Sequence, residues 1–432
     1  MKICVIGAGY VGLVSAACFA DLGNVVHCVD KNKNKILMLN NNQIPIYEPG
    51  LKELVNKNHL SERLKFSTDL KASVQKSDII FICVGTPTSK KHNSADLKYV
   101  FSVAKEIRNY INKFKIIVTK STVPVSTGDK IEKIILKKKK KFFFEVISNP
   151  EFLREGEAIR DFRFPDRIVV GSNNNKVIKK IETLYDPLIK KGAKFFSTNR
   201  RGAELIKYSS NAFLATKISY INEIANLCEK TDVNIEDVSL GIGLDQRIGS
   251  RFLRAGPAYG GSCFPKDTKA LTVTADGFDV NLSIIKSVIK SNEKRKFLLT
   301  KKIDEILAYK IENKKIAFLG VTFKPNTDDM RESLSLLMIP YLLKKGAKIN
   351  YYDPSGEKKE LSKYKNFKYK ENIIDTCKNV DLVIILTEWE EFKAIDFNKL
   401  SKNKKFKIYD IRNLYSPNAL KKKGFKYYSI GR

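Results

Sequence analysis

The sequence contains no apolar run as long as the roughly 18 residues that a membrane-spanning helix requires. Its first seven residues lead directly into a predicted strand and lack the cleavage region of a signal peptide. The seven cysteines are odd in number and irregularly spaced, which is typical of a reducing compartment rather than of a disulfide framework. We therefore expect a cytoplasmic protein that does not cross or bind a membrane.

Acidic residues are scarce, since 47 Asp and Glu stand against 79 Lys and Arg and give a formal net charge of +32. A nucleic-acid-binding surface would concentrate these cations on one element and interleave them with aromatic residues. The lysines are instead spread along the whole chain, and the dense run at residues 137–141 suits a helix C-terminus. We expect no nucleic-acid partner, although a polyanionic ligand such as a nucleotide is compatible with the charge.

The first 30 residues carry a dinucleotide-binding pattern. A short apolar strand leads into Gly7-Ala8-Gly9-Tyr10-Val11-Gly12, a helical pattern follows, and a second strand closes with Asp30. The glycines permit a tight turn and the close approach of a pyrophosphate to a helix N-terminus. Asp30 would accept a hydrogen bond from a ribose 2′-hydroxyl and repel a 2′-phosphate. The pattern predicts NAD rather than NADP, and its alternative is a glycine turn in an unrelated strand–helix–strand unit.

Three later strands each end in a polar loop that contains proline, at residues 85–88, 120–124 and 149–156. Ligands of a doubly wound sheet bind beyond the carboxyl ends of its strands, so all three loops are candidates for the cofactor face. Glu151 and Glu155 are four residues apart and would share a face if their segment is helical. Their alternative role is that of ordinary acids at a solvated helix start.

A glycine-rich loop at residues 255–267 has the composition most suggestive of catalysis. Cys263 follows two glycines, and Lys266 and Asp267 stand three and four residues further on. A nearby cation favours the nucleophilic thiolate, and a carboxylate can hold a proton or orient water. Five of the other six cysteines lie in apolar strands or helical patterns. Because a lone cysteine is more often a small buried side chain, the pattern alone leaves both interpretations open.

A long helical pattern begins near residue 200 and is long enough to bridge two domains. Lys207 and Asn211 share one of its faces, either as a solvated polar pair or as donors to an oxyanion. A second strand–helix series begins at residue 314 and lacks the full glycine fingerprint. We expect it to have a similar fold that serves a different ligand or an interface. Lys324, Arg331 and Arg412 at its strand ends suit phosphate contacts or, alternatively, surface salt bridges.

These patterns predict an α/β fold with two Rossmann-like doubly wound domains, joined by a long central helix and a helical region to which the resemblance given below assigns dimerisation. The predicted domains are an NAD-binding domain at residues 1–199, a central helical domain with the cysteine loop at residues 200–300, and a second Rossmann-like domain at residues 313–432.

Together the motifs resemble the nucleotide-sugar dehydrogenases of the UDP-glucose/GDP-mannose dehydrogenase family, and most closely its UDP-glucose 6-dehydrogenases. The similarity is nearly end to end and rests on residues 7–12, 85–87, 121–124, 149–156, 161–171, 256–267 and 323–331. Family members that act on UDP-N-acetylhexosamines differ at residues 262–267, and GDP-mannose enzymes match residues 161–171 less well. Ala258 stands where many relatives carry glycine.

The resemblance implies oxidation of UDP-glucose to UDP-glucuronate with two NAD and one water. Cys263 would attack an aldehyde to form a thiohemiacetal, and a second oxidation would give a thioester that water hydrolyses. The alternative is the same chemistry on another nucleotide-sugar such as GDP-mannose. A non-catalytic binding module is disfavoured, because binding alone does not need Cys263, Lys207 and Asp267 together.

The resemblance also assigns residues, and it implies a homodimer and no metal. The catalytic set is Cys263, Lys207, Asn211, Asp267, Glu151 and Thr122. The NAD contacts are Gly7, Gly9, Val11, Gly12, Asp30, Lys35, Thr86, Thr122, Glu155, Lys266 and Arg331. The nucleotide-sugar contacts are Glu151, Phe152, Leu153, Arg154, Glu155, Lys207, Asn211, Phe252, Leu253, Arg254, Ala255, Gly256, Gly260, Phe323, Lys324 and Arg412, with Arg247 reaching the sugar from the neighbouring subunit.

Overall fold

The computed structural model describes residues 1–89, 94–400 and 406–432. They divide into two compact units. The first comprises residues 1–210 and 273–280, and the second comprises residues 211–272 and 281–432.

The first unit is built on an eight-stranded sheet with the order β3-β2-β1-β4-β5-β6-β7-β8. Its neighbouring strands are parallel, except that β6 and β7 meet antiparallel at Ser148 and Gly171. The chain reverses its winding direction between β1 and β4, where a doubly wound sheet binds its ligand. The strands are β1 (Lys2–Ile6), β2 (Val25–Val29), β3 (Leu64–Ser67), β4 (Ile79–Ile82), β5 (Lys115–Thr119), β6 (Phe144–Ser148), β7 (Arg167–Gly171) and β8 (Lys194–Thr198).

Both faces of this sheet are covered, because alternate residues of its strands are apolar in both directions. Ile3 and Val5 enter one buried cluster, while Cys4 and Ile6 enter the cluster on the opposite face. The helices of this unit are α1 (Tyr10–Asp21), α2 (Lys33–Asn40), α3 (Leu51–Leu60), α4 (Leu70–Lys76), α5 (Lys98–Tyr110), α6 (Thr127–Leu136), α7 (Ala158–Arg163) and α8 (Asn175–Ile189).

A helix of 32 residues, α9 (Arg200–Thr231), begins in the first unit and ends in the second. Three further helices precede the second sheet: α10 (Ile235–Gly243), α11 (Phe264–Asp276) and α12 (Ser283–Ile306). None of the helices in the described ranges is both long and apolar enough to cross a membrane.

The second unit contains a six-stranded parallel sheet with the order β11-β10-β9-β12-β13-β14. Its strands are β9 (Lys315–Leu319), β10 (Lys348–Tyr352), β11 (Phe367–Tyr369), β12 (Leu382–Ile385), β13 (Lys407–Asp410) and β14 (Lys426–Tyr428). Its helices are α13 (Ser335–Lys344), α14 (Ile373–Cys377), α15 (Phe397–Leu400) and α16 (Pro417–Lys422). Two doubly wound sheets and a long helix between them confirm the predicted fold class.

The six strands of the second sheet repeat the order of the first six strands of the first sheet, but the carboxylate at the equivalent position is buried. Asp353 directly follows β10, as Asp30 follows β2. Asp353 is fully buried, and its Oδ2 accepts hydrogen bonds from the backbone N–H groups of Val321 and Thr322 at 2.8 and 3.3 Å. The Asp353 carboxylate therefore stabilises the turn after β9 inside the second unit.

Candidate active site

The glycine turn after β1 is shaped by close backbone packing. Gly7 has a φ of +105°, and a Cβ at Gly12 would lie 1.8 Å from the carbonyl oxygen of Gly7. Around Gly9, in contrast, no described atom beyond Gly9 and its two chain neighbours lies within 4 Å of the Cβ position. No side chain in the described part of the chain caps the N-terminus of α1, which leaves its first N–H groups for a ligand. A turn of this shape suits a pyrophosphate.

Asp30 lies beside this turn and is held by three donors. Its Oδ2 accepts from Ala8 N–H at 2.9 Å and lies 3.4 Å from Lys35 Nζ, while its Oδ1 accepts from Asn32 N–H at 2.9 Å. Burial acts to raise the pKa of Asp30, but the two amides and Lys35 together bring it below its usual value. Asp30 is therefore ionised and its side chain is partly accessible, as recognition of ribose hydroxyls requires. The predicted contact Val11 is half-buried in the first turn of α1.

The loops after β4 and β5 are joined at the same edge of the sheet. The Thr86 hydroxyl donates to the carbonyl oxygen of Thr122 at 3.0 Å, and the Ser121 hydroxyl donates to that of Val84 at 2.7 Å. The structure therefore brings together two predicted NAD contacts, Thr86 and Thr122.

The loop after β6 presents a buried charge cluster. Glu151 Oε1 lies 3.5 Å from Lys207 Nζ, and both side chains are less than 10% exposed. Glu151 Oε2 also accepts from Leu153 N–H at 2.6 Å. The ring of Phe152 lies 5.1 Å from Lys207 Nζ and 3.8 Å from the Arg167 guanidinium carbon. Glu151, Phe152 and Lys207, predicted from separate parts of the sequence, thus form one group within the first unit.

One expectation about this loop is wrong. Residues 150–157 form no helix, so Glu151 and Glu155 do not share a helical face. A glutamate that was not predicted from the sequence bonds the backbone of this loop. The buried Glu48 accepts from Gly156 N–H at 2.6 Å and from Ala158 N–H at 2.7 Å, and Gly156 takes a φ of +81°. Glu48 therefore accepts from N–H groups at the N-terminus of α7, and the chain becomes helical only from Ala158.

Arg154 is also fixed within this loop. Its backbone N–H and its guanidinium both bond Asp161, at 2.8 and 2.6 Å, and the guanidinium lies 2.6 Å from Glu157. These hydrogen bonds with Asp161 raise the pKa of Arg154 above its usual value. The predicted substrate contact is therefore a structural anchor of the loop in this conformation.

In the second unit, Cys263 stands directly before α11, where Asp267 N–H donates to its carbonyl oxygen at 2.8 Å. Its Sγ lies 3.4 Å from the Ser262 hydroxyl. All seven cysteines lie in the described ranges, and Cys263 is the one that is not fully buried. Burial raises the pKa of Cys83 and Cys377 to about 12, which keeps those thiols protonated. Cys263 is thus the most accessible of the seven thiols.

A buried carboxylate lies one turn along α11 from this thiol. Asp267 is fully buried, its Oδ2 accepts from Asn211 Nδ2 at 2.7 Å, and its Oδ1 lies 2.5 Å from Lys266 Nζ. A cation and an amide donor together compensate its burial. Three predicted site residues are therefore in direct contact.

The glycines before Cys263 fit against the segment that follows β9. Gly261 has a φ of +78°, its N–H donates to the Arg331 carbonyl oxygen at 2.8 Å, and its Cβ position lies 2.6 Å from the Phe323 ring. The Cβ position of Gly260 lies 2.6 Å from the Glu332 carbonyl oxygen. Only glycine permits this approach, so the cysteine loop and residues 323–332 form one structure.

Arg412 joins this structure to the carboxyl edge of the second sheet. Its guanidinium donates to the carbonyl oxygens of Phe323 and Leu386 at 2.7 and 2.9 Å and lies 2.6 Å from Glu388. Burial lowers the pKa of Arg412, and Glu388 opposes that effect. Arg254 donates to the Arg412 carbonyl oxygen at 3.0 Å.

The other predicted contacts in the second unit vary in their surroundings. Lys324 Nζ lies 5.8 Å from the Phe323 ring, and Leu253, Ala255 and Gly256 are buried. Phe252 takes a φ of +67° and lies 6.2 Å from the Phe264 ring. Two arginines bond to acids two residues before them. Arg331 lies 2.7 Å from Asp329, and the 90% exposed Arg247 lies 2.6 Å from Asp245.

Several buried polar residues of these sites were not predicted. In the first unit, Lys120 and Tyr185 donate to Asn149 Oδ1 at 3.2 and 2.6 Å and fix the end of β6 just before Glu151. Burial lowers the pKa of Lys120 to about 8, although Cys83 and Glu151 oppose the effect. The sequence signal that could have identified these residues is a polar side chain next to a strand end or inside an apolar helical pattern. Others of this kind are Glu204, Asn222, Asn292 and Arg295.

The first unit has an open glycine turn and an ionised carboxylate on a doubly wound sheet. The second unit has another such sheet and a thiol at a helix N-terminus. These features are those of a Rossmann-type, nucleotide-dependent enzyme. Residues 1–189 match the NAD binding domain of the UDP-glucose/GDP-mannose dehydrogenase family, residues 201–294 its central domain, and residues 317–417 its UDP binding domain. The chain belongs to this family and is an NAD-dependent dehydrogenase.

Individual relatives cover the whole chain. A UDP-glucose 6-dehydrogenase of Rhizobium meliloti is 48% identical over 435 residues, with full coverage of both chains. The structure of a UDP-glucose dehydrogenase from Pyrobaculum islandicum superposes with a TM-score of 0.90 at 34% identity, covering 99% of this chain and 96% of that one. A GDP-mannose dehydrogenase from Pseudomonas aeruginosa has a TM-score of 0.55 at 31% identity and 99% coverage of both chains.

Proposed function

We propose that the protein oxidises the C6 alcohol of UDP-glucose to a carboxylate and releases UDP-glucuronate, with two NAD reduced and one water consumed. The observation that carries this proposal is the position of Cys263, an accessible thiol at the N-terminus of α11 and one turn from the buried Asp267. The names of the relatives that match from end to end support UDP-glucose as the substrate.

Cys263 acts as the covalent nucleophile. The N-terminus of a helix favours the thiolate, because its unbonded N–H groups stabilise negative charge. The thiolate adds to the C6 aldehyde to give a thiohemiacetal. Oxidation of that adduct leaves a thioester, which water cleaves to return the thiolate and release the carboxylate. A covalent intermediate keeps the aldehyde bound between the two oxidations.

The first unit fits NAD at the glycine turn, where the uncapped α1 N-terminus suits the pyrophosphate and the ionised Asp30 suits ribose hydroxyls. NAD bound there would supply the hydride acceptor for each oxidation of the sugar carbon. The residues that we propose to contact it are Gly7, Gly9, Val11, Gly12, Asp30, Lys35, Thr86, Thr122, Glu155, Lys266 and Arg331.

The remaining catalytic residues handle charge and protons. Lys207 and Asn211 lie one turn apart on α9 and stabilise the alkoxide and the tetrahedral oxyanions. Two carboxylates, those of Asp267 and Glu151, orient water and accept its proton. Asp267 is bonded to Asn211 and Lys266, and Glu151 is paired with Lys207. Thr122, bonded through its carbonyl to Thr86, contributes its hydroxyl on the NAD side.

The second unit supplies the nucleotide-sugar site. The family description of residues 317–417 as a UDP binding domain supports this assignment. Phe323, Lys324 and Arg412 lie at the carboxyl edge of its sheet, where cations suit a diphosphate. The other contacts that we propose are residues 252–256 and Gly260 of this unit, together with residues 151–155.

The same chemistry on GDP-mannose is the second candidate, favoured by the likeness to a GDP-mannose dehydrogenase structure. The deciding experiment measures NADH formed per sugar consumed, with either nucleotide-sugar, for the wild type and for Cys263→Ser. Cys377→Ser, which replaces a buried cysteine of the same unit, is the matched control. We expect two NADH per UDP-glucose for the wild type and the control, and a stalled or ester-trapped Cys263→Ser enzyme.

Other results would contradict the proposal. One NADH per sugar, unchanged by Cys263→Ser, would indicate a simple alcohol dehydrogenase with a structural cysteine. Turnover of GDP-mannose without turnover of UDP-glucose would establish the second candidate.

We also propose a homodimer that forms through α9. Phe213, Tyr220 and Leu227 follow one another at seven-residue intervals and are 65%, 52% and 59% exposed, so they form an apolar stripe along one helix face. Arg247 would extend from one subunit to the sugar site of its partner. Sedimentation equilibrium should give a dimer for the wild type and a monomer for Tyr220→Lys, and a monomeric wild type would refute the proposal. The seven cysteines form no disulfide in the described part of the chain, which supports a cytoplasmic location.

A further inference from the structure

One face of α12 is buried although its side chains are polar. Asn292, Arg295 and Lys296 have relative exposures of 3%, 4% and 7%. They are spaced by three and four residues, so they project from the same side of the helix. Buried polar side chains are retained where they satisfy other polar groups. Each of these three side chains bonds the cysteine loop or the segment that packs against it, and we call them the α12 clamp.

Asn292 holds both backbone groups of Tyr259. Its Oδ1 accepts from Tyr259 N–H at 2.9 Å, and its Nδ2 donates to the Tyr259 carbonyl oxygen at 3.1 Å. Tyr259 lies four residues before Cys263, and its ring meets that of Phe264 edge-on at 6.2 Å. One amide side chain therefore replaces the hydrogen bonds that a strand neighbour would give to this irregular segment.

Arg295 holds the start of the same loop and ties it to α9. Its Nη2 donates to the Gly256 carbonyl oxygen at 2.9 Å, while its Nη1 donates to the Asn222 carbonyl oxygen at 3.1 Å and to Asn226 Oδ1 at 2.5 Å. Asn222 Oδ1 in turn accepts from Gly256 N–H at 2.9 Å. Both backbone groups of Gly256 are thus bonded to buried side chains.

Lys296 reaches the opposite side of the loop. Its Nζ lies 2.8 Å from a carboxylate oxygen of Glu332. The carbonyl oxygen of Glu332 bounds Gly260, and the preceding residue, Arg331, accepts a hydrogen bond from Gly261 N–H. The ion pair therefore fixes the backbone against which the two glycines fit.

We propose that the α12 clamp sets the position of Cys263, so that Asn292, Arg295 and Lys296 are positioning residues of the reaction. The inference rests on the proposed function of Cys263. The clamp bonds the loop at Gly256 and Tyr259 and, through Glu332, supports it at Gly260 and Gly261. A nucleophile displaced by about 1 Å can lose on the order of 100-fold in rate. Loss of the clamp should therefore lower kcat and leave NAD binding in the first unit unchanged.

The test uses the full-length enzyme with UDP-glucose and NAD. Asn292→Ala and Lys296→Met should lower kcat about tenfold or more. In Asn292→Ala, whose lost hydrogen bonds are to Tyr259 and not to the segment that contains Arg331, KM for NAD should stay within about twofold. Lys296→Arg keeps a cation for Glu332 and should recover most of the activity. Hydrogen exchange should accelerate at the Tyr259 and Gly261 amides in Asn292→Ala. The rate of Cys263 alkylation by iodoacetamide should also change, and Cys263→Ser identifies the labelled site.

Leu299→Ala is the matched control, because Leu299 is a buried apolar side chain of α12 and makes none of the hydrogen bonds or ion pairs of the clamp. It should lower the melting temperature without the selective loss of kcat. If the clamp variants lose activity only in proportion to stability, as Leu299→Ala does, or keep wild-type kcat and exchange, the inference is wrong. A wild type that does not oxidise UDP-glucose would instead refute the proposed function, while exchange and alkylation would still test the clamp.

Discussion

Glu204 should make the stability of the first unit depend on pH near neutrality. It is buried on α9, where its carboxylate accepts from the N–H groups of Ser126 and Gly128 at 2.7 and 2.8 Å, at the start of α6. Burial raises the pKa of Glu204 to about 7 from its usual 4.5, although the two amides and Arg200 oppose the effect, while Asp129 adds to it. Glu204 also lies one turn before Lys207.

The sign follows from the two pKa values. Between pH 4.5 and about 7 the folded chain retains a proton on Glu204 that the unfolded chain releases, so stability decreases as the pH rises through this window. Each pH unit is worth about 1.4 kcal/mol, which gives up to about 3 kcal/mol across the window. Below pH 4.5 both states are protonated and the contribution is constant.

The perturbation is Glu204→Gln, which cannot ionise. Urea unfolding of both proteins from pH 4 to pH 8 should give a difference in free energy of unfolding that changes by about 2–3 kcal/mol and levels off above pH 7. Ile131→Val, in the buried face of α6, should lower stability by about 1 kcal/mol at every pH. A difference between Glu204→Gln and the wild type that is flat from pH 4 to pH 8 would refute the reasoning.

Three further predictions concern the glycine turns and the cofactor carboxylate. Gly12→Ala should destabilise the chain by about 2 kcal/mol in thermal melts, because its Cβ would meet a carbonyl oxygen at 1.8 Å, whereas Gly9→Ala should stay within about 0.5 kcal/mol. Asp30→Asn should reduce the preference for NAD over NADP about tenfold in steady-state kinetics, since the repelling charge is gone. Gly261→Ala and Gly249→Ala should each cost about 1–2 kcal/mol for their positive φ, but only Gly261→Ala, which also meets an aromatic ring at 2.6 Å, should lower kcat. Equal stabilities for the first pair, an unchanged cofactor ratio, or equal kcat for the last pair would contradict these expectations.

The sheets were predictable where strands are apolar and end in a recognisable loop. β1, β4, β5 and β7 each contain an uninterrupted apolar run, and their positions follow directly from the sequence. Two edge strands were not predicted, β3 of the first sheet and β11 of the second. They are only four and three residues long. Short edge strands carry too little periodicity to be distinguished from loops.

The catalytic side chains were predictable because each belongs to a local motif, whereas their supports were not. Cys263 and Asp267 lie four residues apart in one loop and helix, so their proximity follows from spacing. Glu48 bonds Gly156 from 108 residues away, and Arg295 bonds Gly256 from 39 residues away. Contacts over such distances depend on tertiary packing, and no local pattern in the sequence encodes them.

The two sheets place equivalent carboxylates at different depths below the surface. Asp30 and Asp353 occupy the same place in two copies of one topology, and both receive backbone N–H groups of the turn after the first strand. Asp30 keeps an accessible surface that a ribose can reach, while Asp353 is sealed from solvent. Under the proposed function, the two halves of the chain would thus take different nucleotides, since only the first half offers an accessible charge to a sugar hydroxyl.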